Sequence, residues 1–458
     1  MTTNNFLLHA CIVCVLERIW SVVLWFYVLL CFLKGKNFTC ALLSMRAVAR
    51  TVFERRWLLY RRQRCRRGFA TRDSDKSKTT VVVALSGGVD SSVSAYLLKE
   101  AGYNVVGLYM KNWDSADEEG VEVCPSEQDF KDVEKVGKHL DIPIYQVSFV
   151  KQYWQDVFEP FLDGYKRGLT PNPDILCNKE IKFKRLAEHA RDLGGDCLAT
   201  GHYVQTRKCT ETGQNLLISG RDPLKDQSYF LCGVPSGALE NVMFPVGHLR
   251  KSKVREIAQV AGLPTAEKRD SYGICFVGKR NFKDFIDGYL PRQPGNFVSI
   301  EDGAVLGEHD SLSFYTIGQG ARISGASEKW FVVDKIAESN TVLVAQGAHH
   351  PALFCDSVSL PGHKFNWVGG AAPDMEKMMM GETKMACRVR YRQELEMCHV
   401  AIDQDTDTIE ARFERPGRAA ALGQTLALYS LDGQVCFGGG AIERTGPSYW
   451  EMGKEVVA

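Results

Sequence analysis

The chain has 458 residues, 45% of them hydrophobic and 24% charged, which is enough for two or three hydrophobic cores and excludes wholesale disorder. The net charge is +1, but residues 1–73 hold thirteen Lys and Arg against three Asp and Glu, so the remainder carries −9. A net-negative body argues against strong nonspecific RNA binding, because phosphate contacts dominate such binding.

The basic N-terminal end, residues 1–74, has the composition of a targeting segment. Its apolar run at 19–33 is shorter than the roughly 18 residues of a membrane span. The stretch after Met45 is rich in arginine and poor in acids, as organelle presequences are. We expect import into the mitochondrial matrix, with plastid or cytoplasm as alternatives, and no stable membrane association of the mature protein. A signal anchor and a basic RNA-binding tail are the other interpretations, and a start at Met45 would remove the apolar run.

Residues 75–240 predict an α/β domain. Short β-rich runs at 81–85, 104–110, 143–149 and 197–200 alternate with helical stretches such as 126–140 and 178–193. This alternation is typical of a parallel sheet covered by helices.

The turn after the first predicted strand is suited to bind phosphate. It reads Leu85-Ser86-Gly87-Gly88-Val89-Asp90-Ser91-Ser92, ahead of a helical stretch. Paired glycines gather backbone amides before a helix N-terminus, and three serine hydroxyls add donors. The loop lacks the lysine that grips a transferable phosphate, which favours pyrophosphate release and adenylate formation. Two roles stay open for Asp90, assisting Mg²⁺ or capping the helix.

Two cysteines lie in unusual settings. Cys177 follows two prolines and Asp174, a suitable N-cap, so we expect it in the first helical turn, where the dipole favours a thiolate. Cys275 follows a polar loop with cations nearby, in a predicted central linking domain at 241–298. A buried structural thiol is the alternative for each. None of the fifteen cysteines has the spacing of a zinc site or a disulfide framework, so we predict no bound metal centre.

The remainder of the chain predicts a β domain. Alternating runs at 313–316, 330–333, 341–345, 386–391 and 425–429, separated by turn residues, indicate an antiparallel β-barrel at 299–446. Residues 447–458 form a tail.

Several motifs resemble known proteins. S-G-G-V-D-S-S at 86–92 resembles the PP-loop ATP pyrophosphatase superfamily. T-P-N-P-D-I-L-C-N-K-E-I-K-F at 170–183 and D-S-Y-G-I-C-F-V-G at 270–278 resemble the tRNA-specific 2-thiouridylases. Further matching strings follow in the family's order at 107–113, 199–203, 225–231 and 244–247. The resemblance runs from about Val81 to Glu443.

This resemblance implies a reaction. The family uses ATP, with Mg²⁺, to adenylate the C2 oxygen of the wobble uridine. Cys275 would carry a persulfide from an external donor, such as a cysteine desulfurase or relay protein, and its terminal sulfur would attack C2 directly or be released as sulfide. Cys177 would close a Cys177–Cys275 disulfide that a thiol reductant resets. Asp174 would assist proton transfer.

The resemblance also implies binding residues. The nucleotide site would comprise Leu85, Ser86, Gly87, Gly88, Asp90, Ser91, Ser92, Met110 and Gly201. The tRNA anticodon stem-loop would contact Asn172, Pro173, Asp174, His202, Lys225, Asp226, Gln227, Arg390, Tyr391 and Gln424. Family members usually have Pro-Gly-Gln where this chain has Leu422-Gly423-Gln424, which weakens the transfer in the β domain.

Three rival interpretations remain. Another PP-loop ligase, forming amides, would need neither thiol. A non-catalytic RNA-binding protein could retain the nucleotide loop as a relic. An iron–sulfur cluster held partly by Cys177 and Cys275 could deliver the sulfur.

Overall fold

The computed structural model describes residues 76–114, 125–209, 213–270, 273–278, 280–325 and 328–456. The targeting segment and its apolar run lie outside the described residues. Residues 75–458 form one compact unit. Among the described residues, no helix has the length and apolar character needed to cross a membrane.

The N-terminal half of this unit is an α/β domain, as predicted. Its strands are β1 (Thr80–Ala84), β2 (Asn104–Lys111), β3 (Ile144–Ser148), β4 (Cys197–Ala199), β5 (Val204–Lys208), β6 (Asn215–Ser219) and β7 (Val242–Met243). Five of them form a parallel sheet in the order β3-β2-β1-β4-β7. On β1, Val82 packs in one core and Val81 and Val83 in another, which explains the uninterrupted apolar run of this strand.

Helices cover both faces of this sheet. They span Val89–Glu100, Pro125–Leu140, Val150–Tyr153, Glu159–Lys166, Pro173–Leu176, Ala187–Asp192, Ser228–Leu231, Lys251–Val260 and Phe282–Asp287. Two segments, Trp154–Phe158 and Cys177–Leu186, are π-helical. Such segments are rare and are frequent at functional sites. The predicted linking domain shares a core with the α/β domain, since Phe276 and Phe285 pack in the same cluster as Val82.

A second sheet follows in the chain. It comprises β8 (Gly295–Ser299), β9 (Val305–His309), β10 (Gly320–Ala321), β11 (Trp330–Ile336) and β12 (Thr341–Gln346), in the order β10-β11-β12-β8-β9. The strand predicted at 313–316 was wrong, because Leu312–Phe314 form a 3-10 helix. Its backbone amides bond locally, from Phe314 to Ser311 and from Tyr315 to Leu312.

The third sheet is antiparallel and holds the C-terminal β-barrel domain. Its own strands are β13 (Phe354–Pro361), β14 (Asn366–Trp367), β15 (Thr383–Arg388), β16 (Glu396–Asp403), β17 (Thr408–Arg418), β18 (Thr425–Tyr429), β19 (Val435–Ala441) and β20 (Arg444–Thr445). The β5–β6 hairpin of the α/β domain extends this sheet, with β6 pairing β19. The barrel is therefore hydrogen-bonded directly to the α/β domain.

Candidate active site

The loop after β1 is shaped to hold an anion. Gly87 has φ +72°, and a Cβ there would lie 2.6 Å from the carbonyl oxygen of Asp129, so only glycine fits. Gly88 is the N-cap of helix Val89–Glu100, and it has no side chain to satisfy the first amides of that helix. These amides are available for phosphate oxygens.

The three serines of the loop have different roles. Ser91 and Ser92 are buried, and both hydroxyls donate to the carbonyl oxygen of Gly88, at 3.1 and 2.8 Å. They shape the loop rather than face a ligand. Ser86 is exposed, so its hydroxyl is the one of the three at the surface. Its Oγ lies 3.3 Å from Ser91 Oγ.

Asp90 is paired within the protein and does not cap the helix. Both its carboxylate oxygens lie 2.7 Å from Lys251 Nζ, and Tyr203 Oη donates to Oδ1 at 2.6 Å. The helix is capped by Gly88 instead. No group of three metal-binding side chains lies in the described part of the chain, and the Mg²⁺ role of Asp90 stays a prediction.

An ion network joins this loop to the segment that carries Cys275. Lys251 Nζ lies 2.9 Å from Asp270 Oδ1, and Lys225 Nζ lies 2.7 Å from Asp270 Oδ2. Arg255 also pairs with Asp270. Burial opposes ionisation of Asp270, but hydrogen bonds from Lys225 and Lys251 outweigh it and lower the pKa to about 2. Lys225, predicted to bind RNA, is engaged within the protein.

The setting of Cys177 differs from the prediction in two respects. Asn172, not Asp174, caps helix Pro173–Leu176, accepting from the Asp174 amide at 3.1 Å. Cys177 begins the π-helix that follows, and so lies beyond the first turn. Its residue is 4% exposed, and burial raises the pKa of the thiol to about 12. The predicted thiolate was wrong for this arrangement, because desolvation outweighs the helix dipole.

Cys275 is exposed as a residue, but its sulfur points toward the interior. Its Sγ lies 3.3 Å from Oη of Tyr153, a residue only 1% exposed. Burial raises the pKa of this thiol, while the hydrogen bond with Tyr153 lowers it. The adjacent Phe276 fixes the chain here, since it packs against Trp113, Phe158, Phe161 and Phe285.

The structure brings the two thiols together although 98 positions separate them. Burial raises the pKa of Tyr153 well above its ordinary value, and the charges of Cys275, Cys177 and Asp174 raise it further, so all three groups lie within electrostatic range of one phenol. Both cysteines are reduced. Asp174 is also affected by burial, which raises its pKa against the opposing charge of Lys182. A carboxyl group in this state is suited to exchange protons.

Sequence reasoning missed Lys182 and Tyr153. Lys182 is half-buried and lies five residues after Cys177, which is one turn of a π-helix. Against the effect of burial, its charge lowers the pKa of Cys177 and of Cys275. The α-helical periodicity used on the sequence places residues five apart on different faces, so only the string around Cys177 could have indicated Lys182. Tyr153 had no signal in the sequence pattern.

The residue pair after β4 connects the thiols to the phosphate loop. A Cβ on Gly201 would lie 2.8 Å from the Ser91 amide, so this glycine packs on the loop itself. His202 Nδ1 lies 2.8 Å from Thr200 Oγ1, and burial followed by the charge of Lys182 lowers its pKa well below the ordinary value. His202 is therefore neutral, which does not suit a phosphate contact. Met110, at the end of β2, packs half-buried against the core that contains Cys177.

Most predicted RNA contacts are engaged within the protein. Asp226 is 5% exposed and pairs with Arg388 at 3.1 Å, so its carboxylate is engaged within the protein and its RNA contact stays a prediction. Gln227 accepts from the Tyr203 amide at 2.9 Å. Asn172 caps a helix, and Pro173 is buried beside it.

The β-domain residues support neighbouring loops. Gln424 Nε2 donates to the Thr170 carbonyl at 2.6 Å, just before Pro171 and the segment that leads to Cys177. Arg390 donates to the Ile317 carbonyl at 2.7 Å, and Tyr391 packs on Phe230 with ring centroids 4.2 Å apart. These contacts leave part of Arg390 and Tyr391 at the surface.

Three family models match the chain. Their descriptions are tRNA methyl transferase HUP domain over residues 79–279, tRNA methyl transferase PRC-barrel domain over 283–346 and Aminomethyltransferase beta-barrel domain over 357–442. Residues 1–78 precede these matches.

Curated proteins named tRNA-specific 2-thiouridylase MnmA are similar over nearly their whole length. The chain is 49% identical to that of Halalkalibacterium halodurans over 368 residues, which is 80% of this chain and 95% of the relative. It is 46% identical to that of Enterococcus faecalis, over 81% of this chain and 97% of the relative. It is 46% identical to that of Protochlamydia amoebophila, over 83% and 98%.

Proposed function

This chain belongs to the tRNA-specific 2-thiouridylase family and is a tRNA-uridine 2-sulfurtransferase, and we propose that it adenylates the C2 oxygen of a wobble uridine and replaces it by sulfur carried on Cys275. The observation that supports this division of labour is the contact of Cys275 with Tyr153, together with the electrostatic effect of Cys177 and Asp174 on the same phenol. The same region continues through His202 and Gly201 to the phosphate loop.

The phosphate loop would bind the ATP substrate. The uncapped amides of helix Val89–Glu100 and the Ser86 hydroxyl would hold its phosphates. Mg²⁺ would enter with ATP, because Asp90 is occupied by Lys251 and Tyr203. Pyrophosphate leaves and the uridine C2 oxygen becomes a good leaving group.

Sulfur transfer would follow in two steps. The terminal sulfur of a Cys275 persulfide attacks C2, and AMP leaves with the C2 oxygen. The sulfur of Cys177 then attacks Cys275 Sγ and forms the Cys177–Cys275 disulfide. The bond between Cys275 Sγ and the transferred sulfur breaks, and its electron pair stays on the transferred sulfur, which becomes the thiocarbonyl of the base. Asp174 would accept the Cys177 proton, since the thiol is neutral in the free protein. An external thiol reductant supplies two electrons to restore both thiols.

The chemistry of the site favours sulfur transfer over its rivals. The family-model descriptions mention methyl transfer, yet a pyrophosphate-type loop next to two reduced thiols is what thiolation of an activated carbonyl requires. An amide-forming ligase would have no use for the pair. A metal cluster held partly by Cys177 and Cys275 would need further ligands.

Replacing each cysteine by serine tests this proposal. Cys275→Ser and Cys177→Ser should abolish 2-thiouridine in a reconstituted reaction with tRNA, ATP and a persulfide donor, as measured by nucleoside mass spectrometry. Release of pyrophosphate should persist in both variants. Unchanged thiouridine formation in Cys275→Ser would reject the role of this thiol, and loss of pyrophosphate release in a folded variant would point to a joint site for both steps.

We also propose that residues 1–74 direct the protein to the mitochondrial matrix. The arginine-rich, acid-poor composition supports this, as does the start of the first family match at residue 79. Fusion of residues 1–74 to a fluorescent protein should give a mitochondrial signal. A plastid or diffuse cytoplasmic signal would reject the proposal.

A further inference from the structure

Tyr153 contacts the Cys275 sulfur and has no assigned role. It ends helix Val150–Tyr153, and its ring packs edge-on against Trp113 and Phe276, at 6.3 and 6.0 Å. Its amide bonds to the Phe149 carbonyl at 2.7 Å. The backbone and ring are therefore fixed, and the hydroxyl is held 3.3 Å from Cys275 Sγ.

We propose that Tyr153 is a positioning residue whose phenol donates a hydrogen bond to the Cys275 sulfur and stabilises that sulfur as an anion. This role rests on the proposed function, in which Cys275 must accept sulfur before it can transfer it. This anion is the nucleophile that takes up sulfur. The Cys275 thiolate attacks the terminal sulfur of a donor persulfide, the donor S–S bond breaks, and the donor leaves as a thiolate.

The direction of the hydrogen bond follows from the surroundings. Burial and the charges of Cys275, Cys177 and Asp174 all raise the pKa of the phenol, so Tyr153 keeps its proton and must be the donor whenever Cys275 is ionised. The other charged groups that face Cys275 are Asp174, which opposes the anion, and Lys182, which favours it. A charge-assisted bond from a protonated phenol adds to the effect of Lys182.

Tyr153→Phe tests the proposal because it removes the hydroxyl and keeps the ring. The full-length protein is treated with iodoacetamide from neutral to alkaline pH, and the modification rate of the Cys275 peptide is measured by mass spectrometry. We expect the rate profile to shift to higher pH, with about a tenfold lower rate at neutral pH, since the loss of one such bond corresponds to about one pKa unit. Tyr165→Phe is the matched control, because Tyr165 is also a buried tyrosine, packed on Phe161 and Phe282.

The outcomes separate the possible roles. A purely structural Tyr153 would give a faster rate at every pH with the same midpoint, through loosened packing, and that result overturns the proposal. A Tyr153→Phe rate profile identical to that of the protein without the substitution overturns it as well. Thiouridine formation is measured separately on the same preparations, so failure of the unmodified protein to thiolate tRNA would reject the proposed function while leaving the alkylation result interpretable.

Discussion

Lys251 holds both carboxylate oxygens of Asp90 at 2.7 Å and also lies 2.9 Å from Asp270 Oδ1. One cation thus joins the phosphate loop to the loop that leads to Cys275. Displacement of either loop would remove a partner from the same ammonium group.

Lys251→Met should therefore impair the nucleotide step. Asp90 and Asp270 would lose a shared cation in a partly buried position, at a cost on the order of 2 kcal/mol in stability. We expect the KM for ATP in pyrophosphate release to rise about tenfold or more. Lys253→Met on the same helix, which breaks a more exposed pair with Glu256, is the control and should leave this KM unchanged. Equal KM values in both variants would show that the contact is dispensable.

The Asp270 network predicts a loss of stability in acid. The folded pKa of Asp270 is lowered to about 2 from its ordinary value of 3.8, so its contribution is present above 3.8 and is lost as pH falls toward 2. Asp270→Asn should be less stable at neutral pH and should show a smaller decline over that acid range, measured by urea unfolding at several pH values. A decline as steep as that of the unmodified protein would assign the acid sensitivity to other groups.

The sequence predicted the parallel sheet and the chemistry of the motifs well. It predicted less well the protonation and the partners of the side chains within those motifs. The apolar strands and the glycine turn have local signatures, so β1 and the phosphate loop were found from the pattern alone. The neutral state of Cys177 and the pairing of Asp90 with Lys251 depend on desolvation and on a partner 161 positions away, and neither has a local signature. The extension of the barrel by the β5–β6 hairpin was missed for the same reason, since alternation marks a strand but not its neighbour.

Lys182 should govern the sulfur step without affecting the nucleotide step. Its charge lowers the pKa of both the Cys177 and the Cys275 thiol. Lys182→Met should therefore raise both pKa values and shift the pH profile of thiouridine formation to higher pH. At neutral pH we expect about a tenfold loss of thiouridine formation, with pyrophosphate release retained. Lys184→Met is the control, because Lys184 is exposed and pairs with Glu180, four residues earlier in the chain. A uniform loss at all pH values would indicate a folding defect instead.

Asp226 offers a test of whether a residue matched to an RNA contact is structural in this chain. Its carboxylate accepts from the Gly220 amide at 2.9 Å, from Ser228 Oγ at 2.8 Å and from Arg388 Nη1 at 3.1 Å, while only 5% of the residue is exposed. Asp226→Asn would leave the Arg388 charge unpaired in a largely buried position, and we expect a loss of about 3 kcal/mol in the free energy of unfolding.

The control for this variant is Glu443→Gln, which breaks a surface pair with Lys364 on the same barrel and should cost less than about 1 kcal/mol. tRNA affinity is measured at a temperature where all proteins are folded, and we expect Asp226→Asn to bind as tightly as the control, because a buried carboxylate repels phosphate and does not reach it. Weakened tRNA binding together with unchanged stability would contradict the structural role. It would mean that Asp226 leaves Arg388 when RNA binds, so that the ion pair seen in the free protein is exchanged for a contact with the substrate.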